Sequence, residues 1–227
     1  MNQDVRSLVQ IFAETFPLPE PIWEIGSYCV PGQEELANLR RLFPGREYLG
    51  LDMRPGPGVD RIENVERMTA ADGSAGTILC LNTFEHVRDI FAGARELHRV
   101  LAPGGVLIMS CPFDFPIHDH PGDYWRFTPQ ALEVLTSGFP TRLLGFQGYP
   151  EQPHNVFVVA FKADAGALVA AKLPELRQKA LGAVRRKGLH LDRRIKLALA
   201  RRLAGKRFFR TFDGYDHLEM WLAKSGN

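Results

Sequence analysis

Cysteine is scarce in this 227-residue chain, and its three copies, Cys29, Cys80 and Cys111, are odd in number and never spaced C-x-x-C. That pattern argues against a disulfide framework or a thiolate zinc site. Each thiol lies in or beside an apolar run, as buried cysteines in a reducing compartment do. No run of 18 or more apolar residues occurs, so no membrane-spanning helix is expected. A basic-then-apolar leader pattern is also missing from the N-terminus, which makes a cytoplasmic protein the expectation. There is no internal repeat and no low-complexity segment.

What is present is an ordinary globular composition, 45% apolar and 24% charged, enough for one substantial core with an appendage. The net charge of +2 conceals a division. Residues 1–163 carry 13 Lys and Arg against 20 Asp and Glu, a net −7, whereas residues 164–227 carry 15 against 6, a net +9. The chain therefore reads as an acidic domain, 1–163, followed by a basic helical extension, 164–227. Within the extension, Leu191, Ile195, Leu199 and Leu203 recur every fourth residue among Arg193, Arg194, Lys196, Arg201 and Arg202. Such a helix can dock on the body, its long Arg stems covering apolar surface, or contact an anionic partner or the inner face of a membrane. Nucleic acid is disfavoured, because no aromatic residue interleaves the basic run before Phe208 and Phe209.

Periodicity places a helix from Ser7 to Phe16, stopped by Pro17, Pro19 and Pro21, and another from Gln33 to Phe43 with Leu36, Leu39 and Leu42 on one face. Helices are also expected over Arg88–Leu101 and from Pro129, where Thr128 is the N-cap. Apolar runs at 22–26, 48–52, 59–62, 77–81 and 106–110 have strand length, and those at 141–146 and 156–161 lie close enough to pair antiparallel. Strands alternating with helices imply right-handed βαβ units and a parallel sheet.

Two of these strands end in chemistry. Trp23-Glu24-Ile25-Gly26-Ser27 brings a carboxylate and a glycine to one strand end, and Tyr48-Leu49-Gly50-Leu51-Asp52 brings a carboxylate to the next. At the carboxyl edge of a parallel sheet this pair suits a nucleoside: glycine lets the backbone approach closely, and the aspartate can accept from ribose hydroxyls. The G-x-G-x-x-G loop of a nicotinamide enzyme is absent after Gly26, where Tyr28, Cys29, Val30 and Pro31 intervene before Gly32.

These motifs, together with Leu81-Asn82-Thr83-Phe84-Glu85-His86-Val87, Arg95 to Gly105 and Asp123-Tyr124-Trp125-Arg126-Phe127-Thr128-Pro129, resemble the class I S-adenosylmethionine-dependent methyltransferases over roughly residues 20–163, in particular the bacterial type 11 group. The resemblance implies a Rossmann-like α/β fold: a seven-stranded, mostly parallel sheet with helices on both faces and a final antiparallel hairpin. It also implies S-adenosylmethionine as cofactor. By resemblance, Glu24, Gly26 and Ser27 hold the methionine part, Asp52 and Met53 the ribose side, Asn64 and Val65 (or Glu63 in place of Asn64) the adenine, and Asn82 faces the sulfonium. Tyr28 either packs on the cofactor or fills space. Glu85 and His86 are expected to support the next helix rather than touch substrate.

The loop from Cys111 to Arg126 is dense in reactive side chains. His118, and after it His120, are candidate general bases, since an alcohol or amine acceptor must lose a proton and imidazole titrates near neutrality. Asp123, Tyr124 and Arg126 are candidate acceptor contacts. Both histidines can instead be loop residues hydrogen-bonded to backbone. His118 and His120 with Asp114, Asp119 and Asp123 are compatible with a divalent ion, but the pattern of metal-dependent relatives is lacking and no metal is expected. The expectation is a methyltransferase acting on a hydroxyl of a small molecule or glycan; the alternatives are a non-catalytic nucleoside-binding or scaffolding protein and a nicotinamide-dependent oxidoreductase.

Overall fold

The computed structural model describes residues 3–118, 122–185 and 217–223. Its centre is one sheet of strands β1 (Ile22–Ile25), β2 (Tyr48–Asp52), β3 (Arg61–Ile62), β4 (Ala75–Leu81), β5 (Leu101–Pro112), β6 (Thr141–Tyr149), β7 (Gln152–Phe161) and β8 (Leu218–Leu222). Their order is β3-β2-β1-β4-β5-β7-β6-β8. The pairs from β3 through β5 are parallel, whereas β7 runs antiparallel to both β5 and β6 and β8 antiparallel to β6. The chain winds outward from β1 to β3 and then returns to β1's other side with β4. That reversal between β1 and β4 is the topological switch point, where sheets of this kind open a crevice at their carboxyl edge.

The sheet has eight strands, one more than the seven expected. The eighth comes from the segment beyond residue 163: Leu218 and Met220 are buried while Glu219 between them is exposed, the alternation of a half-buried strand. Helix α5 (Gly166–Arg185) belongs to that segment too, and Arg177 on it donates to the Met220 carbonyl at 2.7 Å. The basic stretch around Leu191–Leu203 lies outside the described residues.

Both faces of the central strands are buried, which is why they read as unbroken apolar runs. On one face α1 (Gln3–Thr15) and α5 pack Leu8, Phe12 and Leu176 against Ile108, Phe157 and Val159. On the other, α3 (Ile90–Val100) and α4 (Pro129–Leu135) pack Leu97, Val100 and Leu132 against Ile78, Leu107 and Val158. Asp89 and Thr128 cap these two helices by accepting from Ala92 and Ala131.

The continuous helix expected over 33–43 is broken. It is a single turn, α2 (Glu34–Ala37), then a 3-10 turn over Leu39–Leu42, with Asn38 extended between them. Competing hydrogen bonds cause the break. Arg6 on α1 takes the carbonyls of Leu36 and Asn38, and the Asn38 side chain accepts from the Arg40 amide at 3.1 Å.

Phe12 is 1% exposed, with its ring 5.7 Å from that of Phe157 across the helix–sheet interface. Phe12→Ala should therefore cost roughly 3–5 kcal/mol of stability in urea denaturation; an unchanged midpoint would mean that α1 contributes nothing to the core.

Candidate active site

The crevice at the switch point is a cleft of about 570 Å³, within the size range of small-molecule sites. Its floor is where β1 and β4 end. Gly26 leaves β1 at φ +80, and its amide and that of Ser27 both donate to the Leu51 carbonyl, at 2.8 and 3.1 Å. A Cβ on Gly26 would sit 2.3 Å from Thr83 Oγ1, which donates to the Ile25 carbonyl at 3.0 Å. Glycine is required here by a neighbouring protein side chain, in addition to the close ligand approach expected of it. Beside Thr83, Asn82 has φ +50, alone among the described non-glycine residues in the left-handed region. Its Oδ1 accepts from Ser110 Oγ at 3.1 Å. Asn82 lines the cleft at the end of β4.

Glycines lie in the adjoining loop after β2 rather than directly after Gly26. Any Cβ on Gly56 would meet the Tyr28 ring at 2.2 Å, and one on Gly58 would meet the Ser27 carbonyl at 2.4 Å. The loop 54–58 thus lies flat against Ser27 and Tyr28, and the Arg54 guanidinium rests 4.8 Å from the Tyr28 ring centre. Tyr28 both lines the cleft and packs on this loop.

Along the cleft wall Asp52 is buried at the end of β2, its carboxylate accepting from the Tyr28 amide at 3.3 Å and the Arg54 amide at 3.0 Å. Met53 is half exposed beside it, and Asn64 and Val65 line the same end. Asn64 Oδ1 accepts from the Glu66 amide at 2.9 Å. Glu63 reaches the lining too, but its carboxylate is taken by Thr69, at 2.7 and 2.9 Å, and by Arg61 at 3.3 Å. Glu24 is buried with Oε2 accepting from the Tyr48 hydroxyl at 2.6 Å. Burial pushes its carboxyl up to about 7, against the lowering pull of that hydrogen bond.

The opposite end is built by stitching the loop after β5 to the turn after β4. The Tyr124 and Trp125 amides donate to the Glu85 carbonyl, and Trp125 Nε1 to the Val87 carbonyl. Glu85 and His86, expected as helix support, line the cleft with Arg88, Phe115, His118 and Tyr124. Glu85 is 1% exposed, and burial raises its carboxyl to about 8. The His86 and His118 rings meet edge to face at 4.8 Å between centroids.

Asp123 and Arg126, expected as acceptor contacts, pair with each other. Two guanidinium nitrogens meet the two carboxylate oxygens at 2.5 and 2.7 Å, and the same guanidinium takes the Phe115 and Pro116 carbonyls. Arg126 holds the Asp123 carboxyl far below the usual carboxylate range. Asp123 in turn accepts from the His118 amide at 2.9 Å and lies 3.1 Å from His118 Nδ1, so the pair positions His118 from behind. His120, like Asp119, lies outside the described residues.

Residues 33–109 match the family described as "Methyltransferase domain". No curated protein matches the chain in sequence. Among solved structures, a 1,6-didemethyltoxoflavin N1-methyltransferase of Burkholderia thailandensis, with 1,6-didemethyltoxoflavin and S-adenosylhomocysteine bound, superposes at a TM-score of 0.52 and 16% identity, over 71% of this chain and 79% of its own. A SAM-dependent methyltransferase of Archaeoglobus fulgidus gives 0.52 at 14% identity over 69% and 94%, and one of Aquifex aeolicus 0.50 at 12% over 70% and 92%. At these identities the likeness is one of fold.

The Gly26–Thr83 contact can be tested by a double-mutant cycle. Gly26→Ala should destabilise by roughly 1–3 kcal/mol, from the left-handed backbone and the clash together. Adding Thr83→Ala should recover part of that loss; strictly additive effects in thermal denaturation would deny the contact.

Proposed function

We propose that this chain is a class I S-adenosylmethionine-dependent methyltransferase that binds S-adenosylmethionine in the cleft and passes its methyl group to a hydroxyl of a small-molecule or glycan-type acceptor, a reading supported by its sheet order and by its methyltransferase-domain segment. The observation that carries the reading is Asp52. Its buried carboxylate lines the cleft at the end of β2, each oxygen takes one backbone N–H, and each can accept again from a ribose hydroxyl. Met53 and Val65 offer apolar surface to an adenine ring, with Asn64 at its edge. Glu24, backed by the Tyr48 hydroxyl, suits the ammonium of the methionine part, and Gly26, Ser27, Tyr28 and Asn82 close the floor between the two ends.

When bound, S-adenosylmethionine supplies a methyl carbon already activated by its sulfonium centre. What remains for the protein is to hold the acceptor in line and to remove its proton. Phe115 and Tyr124, each about half exposed at the mouth, offer aromatic faces to a ring-shaped acceptor, and Arg88 lies 5.8 Å from the Tyr124 ring centre. His118 is suited to the proton: its Nδ1 is anchored by Asp123, as the base of a nucleophile–base–orienter set is anchored.

Titration calorimetry with S-adenosylmethionine and, separately, with a nicotinamide dinucleotide tests the reading. Micromolar binding of the first without the second is expected, and no nucleoside binding at all would sink the proposal. Asp52→Ala should weaken cofactor binding at least tenfold, about 1.4 kcal/mol; unchanged affinity would reject the ribose assignment.

Glu24 predicts a pH dependence. Its carboxyl is raised to about 7 in the empty cleft, and an ammonium partner favours the ionised form, so binding expels a proton wherever the empty site is protonated. Affinity should climb as pH rises from about 6 to about 8. Glu24→Gln should flatten that climb, and a flat wild-type profile would remove Glu24 from the ammonium site.

A further inference from the structure

We propose that Glu85, His86 and His118 form a site for one divalent transition-metal ion of the zinc class at the acceptor end of the cleft. The three side chains each present a donor atom, and these atoms lie within 4.8 Å of one another. Both rings are held as metal-bound imidazoles are, by an oxygen on the nitrogen away from the ion. His86 Nδ1 is 2.5 Å from the Gly122 carbonyl, and His118 Nδ1 is 3.1 Å from Asp123 Oδ2 and 3.2 Å from the Pro116 carbonyl. A carbonyl and an ionised carboxylate can only accept, so each Nδ1 carries a proton, and a neutral ring then has its lone pair on Nε2.

His86 Nε2 lies 3.9 Å from Glu85 Oε1. Glu85 is 1% exposed, and its Oε2 is buried with no hydrogen-bond partner among the described residues. A buried carboxylate oxygen without a partner is costly, and a cation at this corner supplies that oxygen with one. Two imidazoles and one carboxylate with an open position is the composition of catalytic zinc sites, whereas magnesium and calcium prefer all-oxygen sets. The open position here is the cleft itself. The ligands also sit on rigid chain: Glu85 and His86 lie in the 3-10 turn Phe84–His86 after β4, pinned by the Tyr124 amide on the Glu85 carbonyl at 2.7 Å.

Occupancy changes the division of labour at this end. His118 then lends its ring nitrogen to the ion, and the ion, as Lewis acid, lowers the pKa of an acceptor hydroxyl bound at the open position. The site goes beyond the methyl-transfer reading and does not depend on it.

The test is zinc titration of the chelator-stripped full chain, with cobalt absorption as a second readout. One zinc per chain is expected at micromolar affinity or tighter. Glu85→Gln and His86→Gln should each weaken it at least tenfold while binding of S-adenosylhomocysteine stays within a few-fold. Absence of saturable zinc binding would overturn the inference, as would affinity and cobalt spectrum left unchanged by Glu85→Gln together with His118→Ala, which would put the ion elsewhere. If the variants fail to fold, hydrogen exchange of the wild type decides: zinc should protect residues 84–86 and 122–124, and equal exchange with and without zinc rejects the site. S-adenosylhomocysteine binding without zinc binding sinks this inference alone, and the converse sinks the methyl-transfer reading alone.

Discussion

The contact of Thr83 with the Cβ-less face of Gly26 is the constraint on which the cleft depends. It brings the ends of β1 and β4 together at the point where strand order reverses, and the Thr83 hydroxyl ties the two ends by donating to the last carbonyl of β1. Next to Thr83, Asn82 stands in a left-handed conformation at the floor, and Asp52 is presented from the neighbouring strand. The two ends of the cleft then follow from what each strand end carries. One holds Glu24, Asp52 and Asn64; the other holds Glu85, His86 and His118.

Both ends share an electrostatic theme. Burial raises Glu24 to about 7 and Glu85 to about 8, the same desolvation acting on a carboxyl group at each end. In each case the folded protein binds a proton that the unfolded chain releases above about 4.5, so these groups favour the fold at low pH and oppose it as pH rises through their folded values. Groups of this kind cost stability at working pH, and cationic ligands offset that cost. Asp123 is the reverse case. Its pairing with Arg126 holds it ionised, and it meets His118 through the amide and Nδ1.

Much of this was legible in the sequence because parallel strands buried on both faces leave plain runs, and because Asp52 and Gly26 sit at the ends of such runs. The glycine's own reason was not legible: Thr83 is 57 residues further along, and only the fold brings it to the missing Cβ. Nor could the sequence place the facing glycines, since Gly56 and Gly58 lie on a different loop from the one where glycine was expected. The methyltransferase-domain match begins at residue 33, after this rearranged loop. Strand β8 was hidden by the helical texture of the Ala-, Leu-, Lys- and Arg-rich stretch before it, although Leu218-Glu219-Met220 alternates as an edge strand should. The helix over 33–43 was overread because its leucine spacing says nothing of Arg6, whose guanidinium takes two of its carbonyls. That Glu85 and His86 line the cleft was not legible, because their place in it depends on a loop more than thirty residues away.

The central claim is that this cleft is a nucleoside site organised around Asp52. A crystal structure of the chain with S-adenosylhomocysteine tests it most directly. The account predicts both ribose hydroxyls within hydrogen-bond distance of the Asp52 carboxylate and the adenine against Met53 and Val65. A ligand bound elsewhere, or one in the cleft that leaves Asp52 bonded only to the Tyr28 and Arg54 amides, would contradict it.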